Sequence, residues 1–153
     1  MTKDCKLIKL KKVYTKDKQN NHNGVVIPIL NQHEEGTLPI EQVYLTTCLP
    51  EMVKGPHVHS GNKHDRFYCV KGMVVVVCRN EETQRITEFI LDSHISNQYL
   101  LIPPNNSHAL LNLSSTELAV VLSMPNEGYE EDKPYNQTET EYEGYDWEKW
   151  NNE

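Results

Sequence analysis

Three histidines in this 153-residue chain stand at spacings suited to proton chemistry. His57 and His59 are two apart in Gly55-Pro-His-Val-His59. On a strand, side chains at i and i+2 project to the same side, so both imidazoles are expected to enter one cavity. His108 follows a turn in the pattern Asn97-x5-Pro103-x-Asn105-x2-His108-x3-Asn112, which places a third imidazole at the mouth of another strand. An imidazole titrates near neutrality and can both take and return a proton. Such a set suits general acid–base catalysis, in which one group takes a proton and another returns it.

The elements that must hold these residues are short and evenly spaced. Apolar runs fall at Val25–Leu30, Gln42–Leu49, Phe67–Lys71, Met73–Arg79, Ile86–Leu91, Tyr99–Ile102, Ala109–Leu113 and Leu118–Met124. Turn-forming residues separate them, for example Lys54–Pro56, Asn80–Thr83 and Pro103–Asn106. Many short strands divided by turn signals predict an all-β sandwich or closed barrel. Four consecutive valines, Val74–Val77, show no polar alternation, which predicts a central strand buried on both faces. A polar hairpin loop is expected at Glu81–Gln84. Only Glu139–Trp150 could hold a turn or two of helix. We read residues 1–153 as one domain, with the two histidine stretches at 54–72 and 97–112 and a tail at 126–153.

Composition excludes several classes of function. Apolar residues make up 37% and charged residues 24%, which is ordinary for a globular domain. No run approaches the roughly 18 apolar residues of a membrane span. The Lys-rich start lacks the continuous apolar segment of a secretion signal, so a cytoplasmic protein is expected. Net charge is −7, and residues 127–153 carry ten acids against two lysines, which reads as a solvated segment. The seven lysines between Lys3 and Lys18 form the basic cluster, without an aromatic platform, so no nucleic-acid partner is expected. Cys5, Cys48, Cys69 and Cys78 form no C-x-x-C pair and read as reduced, mostly buried thiols.

The two histidine stretches resemble the two signature motifs of the cupin superfamily, a small jelly-roll β-barrel. In the first, His57, His59, Asp65 and Gly72 match, with Asp for the usual Glu and one extra spacer residue. In the second, Asn97 and Asn105 replace two glycines, and Asn tolerates positive φ better than other non-glycine residues. A finer resemblance covers roughly residues 40–150. Lys54-Gly-Pro-His57 and Leu100-Leu-Ile-Pro-Pro-Asn-Asn-Ser-His108 are similar to segments of the dTDP-4-dehydrorhamnose 3,5-epimerase family. So is the tail with Tyr129, Pro134-Tyr135 and Tyr142–Trp147. The second histidine, His59, resembles the related sugar-nucleotide 3,4-ketoisomerases. Lys54 stands where the family has arginine, Ser123 falls about where epimerases place a tyrosine acid, and residues 1–39 match nothing.

The resemblance implies a metal-independent, cofactor-free homodimer with no membrane partner, acting on a dTDP-linked 4-keto-6-deoxy sugar. It implies His57 as base, His59 as second acid/base, and His108 as donor to the enolate oxygen. Glu141 or Asp146 would hold the base's tautomer. Lys54 and Arg66 would meet the diphosphate. Tyr44, Tyr68 or Tyr99 would act as the missing acid or stack on the base. Asn112 is a substrate-binding candidate that also reads as a strand hydrogen-bonder. His22, His33, His64 and His94 read as exposed loop residues, and Tyr129, Tyr135 and Trp147 as packing. The missing tyrosine favours 3,4-ketoisomerisation over 3,5-epimerisation. Two alternatives remain open: a metal-dependent cupin enzyme using His57, His59 and His108 with Asp65 or His64, and a non-catalytic sugar-binding cupin.

Overall fold

The computed structural model describes residues 3–95, 97–130 and 137–151. The described residues form twelve strands: β1 (Lys6–Lys9), β2 (Val13–Lys16), β3 (His22–Val26), β4 (Tyr44–Cys48), β5 (Val53–His59), β6 (Asp65–Lys71), β7 (Met73–Asn80), β8 (Ile86–Asp92), β9 (Gln98–Ile102), β10 (Asn106–Asn112), β11 (Ala119–Ser123) and β12 (Gln137–Glu139). They build two antiparallel five-stranded sheets, ordered β1-β9-β6-β11-β4 and β12-β5-β10-β7-β8, and a separate β2-β3 ribbon. This is the expected all-β jelly roll. Tyr135 lies outside the described residues. Among the described residues, no helix is long and apolar enough to cross a membrane.

The core sits between the sheets. Cys69, Leu100 and Val121 from one sheet pack with Val74, Val76 and Leu110 from the other. The valine run behaves as its pattern predicts. Val74 and Val76 face this core, while Val75 and Val77 face outward beneath Tyr142, Tyr145, Trp147 and Trp150. The tail thus covers the outer face of the second sheet and ends in a single 3₁₀ turn, Trp147–Trp150. Tyr142 is its anchor. The phenol meets Ser107 Oγ at 2.9 Å and donates to the Val77 carbonyl at 3.3 Å, and the Trp147 ring stacks on it at 6.0 Å. Burying these side chains contributes on the order of 1.5–3 kcal/mol each. Trp147 is therefore packing, as expected, but Tyr129 is 68% exposed.

Four strands escaped the apolar pattern. β1 and β2 are Lys-rich, mostly exposed strands, and β1 is held by its ladder to β9 rather than by an apolar face. β12 is exposed along its length and pairs with β5. β5 carries the His-x-His pair between polar and turn-forming residues. Its Gly55 adopts φ +90°, and a Cβ there would lie 2.8 Å from the His108 carbonyl oxygen, so only glycine lets β5 approach β10 so closely.

Candidate active site

That close approach brings the three histidines together. His57 pairs directly with His108 across the β5–β10 ladder, and their rings lie 4.6 Å apart. His59, two residues along, has its ring 5.1 Å from His57 and 5.5 Å from His108. From the opposite sheet, Asp65 and Phe67 of β6 point inward, with the Phe67 ring edge-on to His108 at 5.5 Å. The cluster floors a cavity of about 310 Å³ whose walls include Tyr44, Lys54, Lys63 and Ser123.

The imidazoles differ in surroundings. His108 donates Nδ1–H to the Asn106 carbonyl at 3.2 Å, and burial drives its pKa down to about 4. His57 is also lowered, by burial first and then by His59. Both are neutral at pH 7. His59 Nε2 lies 3.1 Å from Asp65 Oδ2, and His108 Nε2 lies 3.5 Å from the same oxygen. Burial would push the Asp65 carboxyl up, but the His59 hydrogen bond holds it below the usual carboxylate range. The Tyr44 phenol is raised by burial and by the Asp65 charge, and it bonds the Ser123 side chain.

Other expected site residues lie elsewhere. Arg66 is 2% exposed, and its guanidinium donates to the carbonyls of Met124 (2.6 Å), Leu38 (3.1 Å) and Pro39 (2.6 Å). It ties the segment before β4 to the end of β11, so it has no donors turned toward a diphosphate in the cavity. Strand alternation explains this, because Asp65 and Phe67 face in while Arg66 and Tyr68 take the other face. Tyr99, on neighbouring β9, interacts with Arg66 rather than lining the cavity. Asn112 is buried and donates to the Cys48 and Glu117 carbonyls at 2.9 and 2.7 Å, as a strand hydrogen-bonder would. Glu141 is exposed, and its carbonyl accepts from Arg79 on the outer face of the second sheet. The carboxylate bonded to a cavity histidine is Asp65, and Glu139 stands opposite His57 in the β12–β5 ladder, whereas Glu141 and Asp146 lie outside the cavity. His64 is 7% exposed rather than a solvated loop residue, because its backbone amide donates to Asn126 Oδ1 at 2.7 Å.

One ligand atom from each of His57, His59 and His108 lies within 4.8 Å of the others, a separation that a small cation could bridge. The 3.1 Å bond from His59 Nε2 to the Asp65 carboxylate puts the proton on that nitrogen and leaves Nδ1 as the one that could ligate.

Comparison with solved structures finds the same fold in several sugar-nucleotide enzymes. A dTDP sugar isomerase from Desulfovibrio desulfuricans G20 superposes with a TM-score of 0.76 at 17% identity, covering 94% of this chain and 90% of that one. A point mutant of the 3,4-ketoisomerase from Thermoanaerobacterium thermosaccharolyticum, in complex with TDP-4-keto-6-deoxyglucose, superposes with a TM-score of 0.67 at 22% identity, covering 90% and 88%. The dTDP-4-dehydrorhamnose 3,5-epimerase from Sulfolobus tokodaii gives 0.74 at 17% identity, covering 94% and 80%. No curated protein sequence matches significantly. The family described as "polysaccharide biosynthesis C-terminal domain" matches residues 19–136. Since that match spans most of the chain and both histidine stretches, the protein belongs to the polysaccharide biosynthesis C-terminal domain family.

Proposed function

We propose that the protein is a sugar-nucleotide isomerase that moves the ketone of a nucleotide-linked 4-keto-6-deoxy sugar, most simply a dTDP sugar, from C4 to C3. The observation that carries this reading is the packing of His57, His59 and His108 against one another at the floor of a single cavity. The fold shared with a dTDP sugar isomerase, a 3,4-ketoisomerase and a 3,5-epimerase supports the substrate class.

His57, neutral at pH 7, takes the C3 proton, and the electron pair of that bond forms the C3–C4 double bond of an enediolate. His59 delivers a proton to C4. The O3 proton passes to O4, with the Tyr44 phenol placed as its relay. After turnover His57 holds one proton more and His59 one fewer, and solvent restores both. A 3,5-epimerisation would need a second donor on the opposite face of the ring, and the position that matches the epimerase tyrosine holds Ser123. Lys54 at the cavity wall is the cation for the diphosphate. No metal or cofactor enters this scheme.

We place the enzyme in the cytoplasm as a homodimer. β4 is the outer edge of its sheet among the described residues, and Val43, Leu45 and Leu49 beside it are 56%, 62% and 63% exposed. An unpaired apolar edge invites a second strand. Sedimentation at micromolar concentration is expected to give twice 17.7 kDa, and a monomer would count against this part.

Replacing His57 by Asn tests the chemistry. Removing a general base typically lowers rate by about 10²–10⁴-fold, so C3 deuterium uptake and product formation should both fall by that much. Near-normal exchange in this variant would place the base elsewhere.

A further inference from the structure

The least expected group in the cavity floor is Asp65. It opens β6 and is 2% exposed. A buried carboxylate is costly unless cations or donors compensate it. The nearest arginine does not compensate it. Arg66, its neighbour in sequence, spends its guanidinium on three backbone carbonyls. One carboxylate oxygen, Oδ1, is buried without a hydrogen-bond partner. The other, Oδ2, meets His59 Nε2 at 3.1 Å and lies 3.5 Å from His108 Nε2. The second distance is too long for a good hydrogen bond, and His108 already directs Nδ1–H at the Asn106 carbonyl. The one strong bond Asp65 makes to a cavity histidine is therefore to His59.

We infer that Asp65 is a positioning residue for His59, holding its ring and fixing Nε2 as the protonated nitrogen, so that the two act as one carboxylate–imidazole unit. This rests on the isomerase reading. It gives the two histidines of the His-x-His pair different tasks from a physical cause. An imidazole backed by a carboxylate is fixed in tautomer and is stabilised when it carries charge, as in the serine protease triad. With Nε2–H held on Asp65, His59 gives a proton to C4 from Nδ1 as an imidazolium, and the carboxylate stabilises that charged form.

The variant Asp65→Asn keeps the size of the side chain and removes the charge. With dTDP-4-keto-6-deoxyglucose in heavy water, ketone migration is expected to fall about 10²–10⁴-fold, chiefly in kcat with KM little changed. C3 deuterium uptake, driven by His57, should fall less than tenfold. Asp65→Glu, which restores the carboxylate, should recover part of the migration rate. In proton NMR of the wild type, a slowly exchanging imidazole N–H resonance should be present that disappears in both His59→Asn and Asp65→Asn. Migration within tenfold of wild type in Asp65→Asn would overturn the inference. So would equal loss of migration and exchange in a folded variant, or lack of the N–H resonance in the wild type, which decides the matter even if Asp65→Asn does not fold. A wild type inert on this and other 4-keto sugars, with the resonance present, would instead sink the isomerase reading.

Discussion

Tyr44 and Ser123 stand directly opposite each other across the β4–β11 ladder, and their side chains are hydrogen-bonded at the cavity wall. The strand position where the 3,5-epimerase pattern has a tyrosine holds a serine here, yet a phenol still reaches the cavity, from the neighbouring strand. That phenol meets the cavity with Ser123 as its hydrogen-bonding neighbour.

Tyr44→Phe should therefore lower ketone migration by about 10²-fold or more while leaving substrate affinity within a few-fold, since only the hydroxyl is lost. Because burial and the Asp65 charge raise the Tyr44 pKa, the alkaline limb of the rate profile should lie above 10. Steady-state kinetics of the variant and a pH profile of the wild type check both points. An alkaline limb below 10 that persists in Tyr44→Phe would assign it to another group.

The buried histidine makes stability depend on pH. His108 has a folded-state pKa of about 4 against an ordinary value of 6.5. Between those values the unfolded chain binds the extra proton and the native state does not, so stability is full above 6.5 and falls as pH drops toward 4. The shift corresponds to on the order of 3 kcal/mol at its limit. Urea unfolding at pH 7 and at pH 4.5 should show the loss, and His108→Asn should flatten it. The lowered His57 pKa acts in the same direction and keeps this base unprotonated below its ordinary value, so the acid limb of kcat/KM should also lie below 6.5.

Arg66 should matter for folding and not for binding. Arg66→Ala leaves the carbonyls of Leu38, Pro39 and Met124 without their donor, which costs about 1–3 kcal/mol for buried acceptors. Denaturant midpoints should drop accordingly while KM stays within twofold. A large rise in KM with unchanged stability would return Arg66 to the substrate.

Dialysis against a chelator should leave activity unchanged, because every step of the proposed proton transfer is carried by side chains. One equivalent of iron, manganese or zinc that survives purification without a His-tag, and on which turnover depends, would replace the proton-transfer scheme with a metal-dependent one.

Much of this was legible in the sequence. The run Val74–Val77 announced a strand covered on both faces, and the spacing of His57 and His59 put both rings on one side of β5. What escaped were features set by partners far along the chain. β1 has no apolar periodicity because its ladder to β9 holds it in place. His64 is buried through Asn126, 62 residues away. Arg66 looked like a phosphate contact until the segment at Leu38 and Pro39 was seen to cover it. Asp65 and Glu141 exchanged places for a similar reason. The tail turns Tyr142 inward and Glu141 outward, whereas alternation along β6 points Asp65 at the histidines.

The central claim is that His57 takes a proton from the carbon beside a sugar ketone and that the ketone then moves. Incubating the wild-type protein with dTDP-4-keto-6-deoxyglucose in heavy water and following the sugar by NMR tests it directly. The account predicts deuterium at C3, appearance of a 3-keto sugar with the label at C4, and loss of both in His57→Asn. Deuterium at C3 and C5 with the ketone still at C4 would mean epimerisation instead. No exchange at any carbon, with the sugar nucleotide nevertheless bound, would contradict catalysis and leave a binding protein.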